Sequence, residues 1–225
     1  MSYPPAPSAR AAWRRISSWA LLVVAAMGVW SWTGDGEEKA DTPPRPSAAQ
    51  AKALDPGPAK AAAVTVPSLP EAAPVRVGIP GLDVDVPLAP LARTEDGGLD
   101  APPPDDPDLA GWDAVGTPPG STGTAVIVGH VDTPVGPAVF YGLGALKKGA
   151  KVLVAREDGL TAEFTVDGVE EYEKDEFPST RVYAPKARPE LRLITCGGTY
   201  SKTDGYSGNV VVYAHLTGSR PGKAG

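Results

Sequence analysis

Cysteine is almost absent from this sequence: Cys196 is the only one in 225 residues. One cysteine permits no internal disulfide and no multi-cysteine metal site. Positive charge is also in short supply. Lys and Arg total 21 against 27 Asp and Glu, a net charge of −6, so the basic footprint of a nucleic-acid binder is missing. There is no P-loop, no GxGxxG, no HExxH and no internal repeat. No cofactor and no metal are expected. The acidic run Glu170, Glu171, Glu173, Asp175, Glu176 lacks the spaced ligands and central glycine of an EF-hand loop, and reads as a solvated loop. What is abundant is Gly and Pro, 26 of each, which predicts a turn-rich, all-β chain.

The N-terminal third separates from the rest by composition. Residues 16–32, ISSWALLVVAAMGVWSW, carry no charge and are long enough to span a bilayer. Arg10, Arg14 and Arg15 precede the run, and Asp35, Glu37 and Glu38 follow it. The positive-inside rule therefore predicts a cytoplasmic segment over 1–15, a transmembrane anchor over 16–32 and everything later outside the cell. A cleaved signal peptide is the alternative, without a convincing A-x-A site to support it. Residues 33–74 are rich in Pro and Ala and poor in branched apolar residues. They predict a disordered linker, whose fully extended reach is roughly 120 Å. Residues 218–225 predict a flexible tail.

Between them, residues 75–217 form short apolar runs broken by Gly, Pro and Asp. VRVGI (75–79), LDVDVPL (82–88), TAVIVGH (124–130), KVLVAR (151–156), LTAEFTVDGVEEY (160–172), LRLITC (191–196) and NVVVYAHL (209–216) read as strands. Glu157-Asp158-Gly159 is a hairpin turn. AVFYGLGAL (138–146) is the best helix candidate, and APPPDDPD (101–108) must be loop. Many short strands with few helices predict a small barrel or sandwich.

Two strands end in reactive groups, TAVIVGH at His130 and LRLITC at Cys196. A thiol reacts as thiolate and is mostly protonated at neutral pH when unassisted. A neighbouring imidazole can hold its proton and return it to a leaving amine. Gly197 and Gly198 leave the sulfur approachable and offer backbone N–H groups to an oxyanion. Each residue also has a bland reading, the cysteine as a small buried hydrophobe and the histidine as a satisfied core or surface group. His215 is a second, weaker candidate in the tail of the last strand.

The order of these elements resembles the sortases, cysteine transpeptidases of Gram-positive cell walls, and most closely the actinobacterial class F group. The resemblance rests on IPGLDVDVPL, Gly111-Trp112, PGSTGTAVIVGHVDT, VFYGLGAL, LRLITCGG and NVVVYA. It implies a closed, mainly antiparallel eight-stranded β-barrel with one or two short helices. It implies cleavage of an LPxTG-like sorting signal between Thr and Gly, through an acyl-thioester on Cys196. His130 would be the acid–base, and a cell-wall amine such as a peptidoglycan precursor, or water, would release the product. Partners would be secreted proteins bearing a C-terminal sorting signal. Asp132 would orient or tune His130, its other reading being a plain turn residue. Ile194, on Cys196's face by the two-residue period, and Thr195 would support the groove. The family's arginine is expected two residues before Asn209, where this chain has Ser207. The oxyanion site is therefore expected to be weak or supported by backbone N–H groups. Arg192, four residues from Cys196 along the strand, could hold the far end of a bound peptide but should not reach the scissile carbonyl, whereas Arg181, in the FPSTRVY stretch before the cysteine strand, could swing in. Two other functions compete: a sortase-fold protein that binds wall peptides with weak or no turnover, and a wall-directed cysteine hydrolase or L,D-transpeptidase. The SHGC-type motif of the last is missing.

Overall fold

The computed structural model describes residues 42–52, 54, 66–95 and 98–222. The segment 1–15 expected to be cytoplasmic and the apolar run 16–32 expected to be a membrane anchor lie outside them. Among the described residues no helix is long and apolar enough to cross a membrane. Ten strands follow in chain order: β1 (Pro74–Ile79), β2 (Val84–Leu91), β3 (Ala110–Asp113), β4 (Gly123–Gly129), β5 (Asp132–Thr133), β6 (Gly136–Pro137), β7 (Lys151–Arg156), β8 (Leu160–Glu173), β9 (Pro189–Ser201) and β10 (Gly205–Pro221). The described helices are short: α1 (Ala48–Lys52) and α2 (Ser179–Tyr183).

Eight strands close into a barrel in the order β1-β2-β3-β4-β9-β10-β8-β7, and β5 and β6 form a separate small hairpin. Most pairs are antiparallel. The exceptions are β2 with β3 and β4 with β9. Inside lie Val77, Ile79, Ile127, Phe164, Leu191, Leu193, Val210 and Val212. The outer face of β4, β9 and β10 is also covered. Val126, Ile194, Val211 and Tyr213 pack there with Val182 of α2. Burial on both faces is why TAVIVG and NVVVYA read as continuous apolar runs rather than alternating ones. Each fully buried branched side chain contributes about 1.5–3 kcal/mol, so the rigid part of the molecule is where these three strands meet.

Several expectations need correction. The predicted helix over 138–146 is only a single 3-10 turn, Leu143–Ala145, because two glycines offer little helix propensity. The predicted flexible tail is strand as far as Pro221: Gly218, Ser219, Arg220 and Pro221 pair with Glu163, Ala162, Thr161 and Leu160. The long partner strand β8 supplies the template that the tail's composition conceals. The predicted disordered linker is ordered in two places. Residues 66–73 run beside the barrel, where Val66 and Leu69 pack on the core. The Leu69 N–H donates to Gly120 O at 2.8 Å. The buried Arg156 guanidinium donates to Pro119 O at 2.6 Å and also to Pro70 O.

The second ordered stretch, 42–52 with Leu54, contains α1 and straps the barrel end near Cys196. Gln50 donates from Nε2 to Gly144 O at 3.0 Å and also to Leu146 O. Arg45 pairs with Glu171. Pro44 lies so close to Gly144 that a Cβ there would stand 1.8 Å from the Pro44 carbonyl oxygen. The strap lacks a hydrophobic core of its own and is held by groups of the barrel, a source of order that low hydrophobicity does not reveal.

Candidate active site

The final paired position of β4 and β9 is Val128 with Ile194. His130 and Cys196 stand two residues beyond that pair, Cys196 still within β9 and His130 one residue past the end of β4, so the same register carried on would bring them to one level on neighbouring strands. The period of two also puts both side chains on one face. Val128 and Ile194 belong to the outer cluster, and His130 and Cys196 continue that face. A parallel β4–β9 pair is thus what joins two residues 66 positions apart in sequence (196 − 130).

Their strand contexts differ. His130 lies just past β4, as predicted. Cys196 is not at a strand end: β9 continues through Gly197 and Gly198 to Ser201. The two glycines form a break in register, where β10 pairs Gly208 with Gly197 and then shifts. Gly198 has φ +83, in the left-handed region, and a Cβ there would lie 2.4 Å from Ser207 Oγ. The glycine turn of the sequence reading is therefore a bulge inside a hairpin.

Cys196 is half-buried and unpaired. Burial pushes its thiol above the ordinary value. The Lys174 ammonium opposes this and Asp132 adds to it. The resting group is a thiol and needs a base. His130 Nε2 lies 2.7 Å from Pro102 O. A carbonyl only accepts, so Nε2 carries the hydrogen, and in the neutral ring Nδ1 is left as the acceptor. No hydrogen bond joins His130 to Cys196 among the described residues. Catalytic hydrogen bonds are often absent in a site without substrate and form only when it binds.

No hydrogen bond joins Asp132 to His130 among the described residues. Asp132 accepts a hydrogen bond from the Tyr206 hydroxyl of β10. Burial and that bond push the Tyr206 hydroxyl well above its ordinary range, so it remains a donor. Tyr206, which sequence reasoning missed, ties the His130 turn to the cysteine hairpin. Its signal in the sequence was only an aromatic residue three positions before Asn209. Ile194 is buried in the outer cluster beneath α2 and supports the strand from below. Thr195 faces the other way, is 4% exposed, and its Oγ1 has no partner.

Ser207 does not stand beside Cys196. It sits at the bulge, where its Oγ accepts from the Thr199 N–H at 3.0 Å. The residue paired with Cys196 is Asn209. The arginines weighed from sequence are occupied elsewhere. Arg192 is 1% exposed and donates to Val182 O, Leu191 O and Glu190 at 3.1, 3.1 and 2.7 Å. Arg181 pairs with Glu170 at 2.9 Å and lies over the Tyr213 ring. His215 is far from the thiol. It pairs with Glu190, six residues from Cys196 along β9, or roughly 20 Å. Its Nδ1 contacts Asp167 at 2.8 Å. The acidic run is engaged too: Glu170 accepts from Tyr172 and Arg181, and Glu171 from Arg45.

The strap borders this site. Pro43, Pro44 and Arg45 line a narrow pocket together with Tyr141, Thr195, Cys196, Gly197 and Gly198.

The barrel has known counterparts. Sortase A of Listeria monocytogenes superposes with a TM-score of 0.50 at 16% identity, over 67% of this chain and 91% of that one. SrtA sortase of Actinomyces oris gives 0.50 at 16%, over 70% and 89%. Sortase C-1 of the same organism gives 0.50 at 22%, over 64% and 75%. No curated protein sequence matches the chain. The sortase domain family matches residues 77–217, which takes in β1 from its fourth residue, both halves of the candidate site and most of β10. The chain belongs to the sortase family.

Proposed function

We propose that this protein is a membrane-anchored cysteine transpeptidase of the class F kind. It cleaves an LPxTG-like sorting signal through an acyl-thioester on Cys196 and passes the acyl group to a cell-wall amine or to water. The observation that supports the reading is the parallel pairing of β4 with β9 up to Val128 and Ile194, two residues before His130 and Cys196, whose continued register would bring the two groups together. The apolar run at 16–32 would hold the enzyme in the membrane, N-terminus inside, catalytic domain outside.

The chemistry follows from the geometry. Cys196 rests as a thiol, and its proton passes to Nδ1 of His130 as sulfur attacks the scissile carbonyl carbon. The C–S bond forms, the carbonyl electron pair moves to oxygen, and the tetrahedral adduct collapses by expelling the glycine amine. The His130 imidazolium returns the proton to that amine. An incoming amine then attacks the thioester, with His130 now as base. Because β9 runs on past Cys196, pairs with β10 at Cys196 itself and with β4 up to Ile194, the sulfur is held rigidly during both steps.

The test uses the full chain in detergent micelles with a library of LPxTG-type peptides. A thioester on the Cys196 peptide, sensitive to hydroxylamine, is expected. Absence of this adduct across the library would sink the reading. One observation favours the non-turnover alternative, namely that Ser207 stands where the family arginine is expected and is bonded to Thr199. Accumulation of a bound, uncleaved peptide would support it. Products released only by water, even with amine in excess, would make the protein a hydrolase.

A further inference from the structure

We infer that the carboxamide of Asn209 holds the carbonyl oxygen of the group being transferred to Cys196, donating an Nδ2–H hydrogen bond to the oxyanion. The inference rests on the reading of Cys196 as an acyl-accepting nucleophile.

Four observations lead to it. Asn209 is the residue paired with Cys196 between β10 and β9. Directly opposed Cβ atoms in an antiparallel pair lie about 4.5–5.5 Å apart. The two side chains also share a face. Val211 and Tyr213 alternate with Asn209 and lie in the outer cluster, as Ile194 alternates with Cys196. Cys196 and Asn209 thus stand side by side on β9 and β10, while His130 follows the end of β4, the strand on the other edge of β9. Third, Asn209 is half-buried, and no hydrogen bond engages its carboxamide among the described residues. A donor without a partner at that depth is available to a ligand.

The fourth observation is the occupation of the other donors. Ser207 Oγ accepts from Thr199 N–H and points into the bulge. Arg192 is saturated by two carbonyls and Glu190. Arg181 is paired with Glu170, and Arg45 with Glu171. Lys174 is exposed and acts on the thiol's acidity. Reach then decides. In a tetrahedral adduct the oxyanion lies two bonds from sulfur, and the amide nitrogen lies two bonds from its own Cβ. An asparagine directly opposite spans that gap, whereas a longer residue displaced by the bulge would have to fold back. Hydrogen bonds to an ionised oxygen are roughly twice as strong as neutral ones, so a neutral amide suffices for a sizeable effect.

Two small reagents separate this role from any other. With p-nitrophenyl acetate, the Cys196 thiolate attacks the carbonyl carbon, the electron pair moves to oxygen, and collapse expels p-nitrophenolate, leaving a thioacetate. With iodoacetamide, the same thiolate displaces iodide at a saturated carbon and no oxyanion forms. Both adducts are read by mass on the Cys196 peptide of the full chain in micelles. Asn209→Ala is expected to slow acetylation by at least about tenfold and to leave alkylation unchanged. Cleavage of a sorting peptide should fall by roughly 10²-fold in kcat. Asn209→Asp, which keeps the shape and replaces the donor by a charge, should be slower still in acetylation. Unchanged acetylation in Asn209→Ala overturns the inference. So does an equal slowing of both reagents, which would mean that Asn209 acts on the thiol or the fold. If the wild type takes the acetyl group with this Asn209 dependence but no library peptide, the sortase reading fails and the oxyanion role stands.

Discussion

Arg45 and Glu171, 126 positions apart in the chain, form an ion pair at the rim of the pocket that Cys196 lines. The arginine is 55% exposed, so the pair itself contributes at most about 1 kcal/mol. The strap depends more on the fit of Pro44 against Gly144 and on the two bonds from Gln50. Gly144→Ala should therefore detach residues 42–54 more completely than Arg45→Glu. Hydrogen–deuterium exchange checks this: faster exchange across 42–54 is expected in both variants, together with faster alkylation of Cys196. Unchanged exchange in Gly144→Ala would show that the strap does not need that contact.

Cys196→Ala should abolish thioester formation with little change in melting temperature, since it removes the nucleophile and almost no volume. His130→Ala should cost roughly 10²–10⁴-fold in kcat/KM. His215→Ala should not, because Asp167 holds that ring at the other end of β9. A greater loss from His215→Ala would mean that the parallel β4–β9 register does not define the site.

The thiol of Cys196 is pushed up by burial, held down by Lys174 and pushed up by Asp132. The thiolate is then scarce at neutral pH and gains as pH rises. Iodoacetamide alkylation should show a midpoint above the ordinary cysteine value of about 8.5. Lys174→Ala removes the opposing charge and should move the midpoint higher, and Asp132→Asn should move it lower. A midpoint below neutrality in the wild type would contradict the burial argument.

Arg192 is a structural group rather than a peptide-binding one. Its side chain is 2% exposed and serves Glu190 and two carbonyls. Arg192→Met should lower unfolding stability by about 3–5 kcal/mol, because Glu190 and the carbonyls lose their partner. Denaturant titration gives the loss. If stability is unchanged and only peptide KM rises, Arg192 belongs to the groove.

A chain that begins at residue 75 should be less stable than one that begins at residue 66. The longer one keeps Pro70 O for the buried Arg156 guanidinium, and Leu69 on the core with its N–H on Gly120 O. The difference should be about 2–4 kcal/mol by denaturant titration. Equal stabilities would mean that residues 66–73 add nothing to the barrel.

The sequence by itself determined the strands and the two candidate reactive residues. Alternation and apolar runs are local properties, so β1, β4, β7 and the inner half of β9 were legible within a few residues, as was the turn at Glu157-Asp158-Gly159. A single cysteine and a histidine after an apolar run named Cys196 and His130. What depended on pairing was not legible. The tail became strand only because β8 is long enough to carry it. The linker became a strap only because Gly144, Leu146 and Glu171 receive Pro44, Gln50 and Arg45. A motif counted along the chain pointed to Ser207, yet the bulge at Gly198 shifts the register and sets Asn209 against Cys196. Local preferences act through neighbours in sequence. Register across a bulge is decided by hydrogen bonds between strands, and one residue of shift exchanges which side chain stands opposite Cys196.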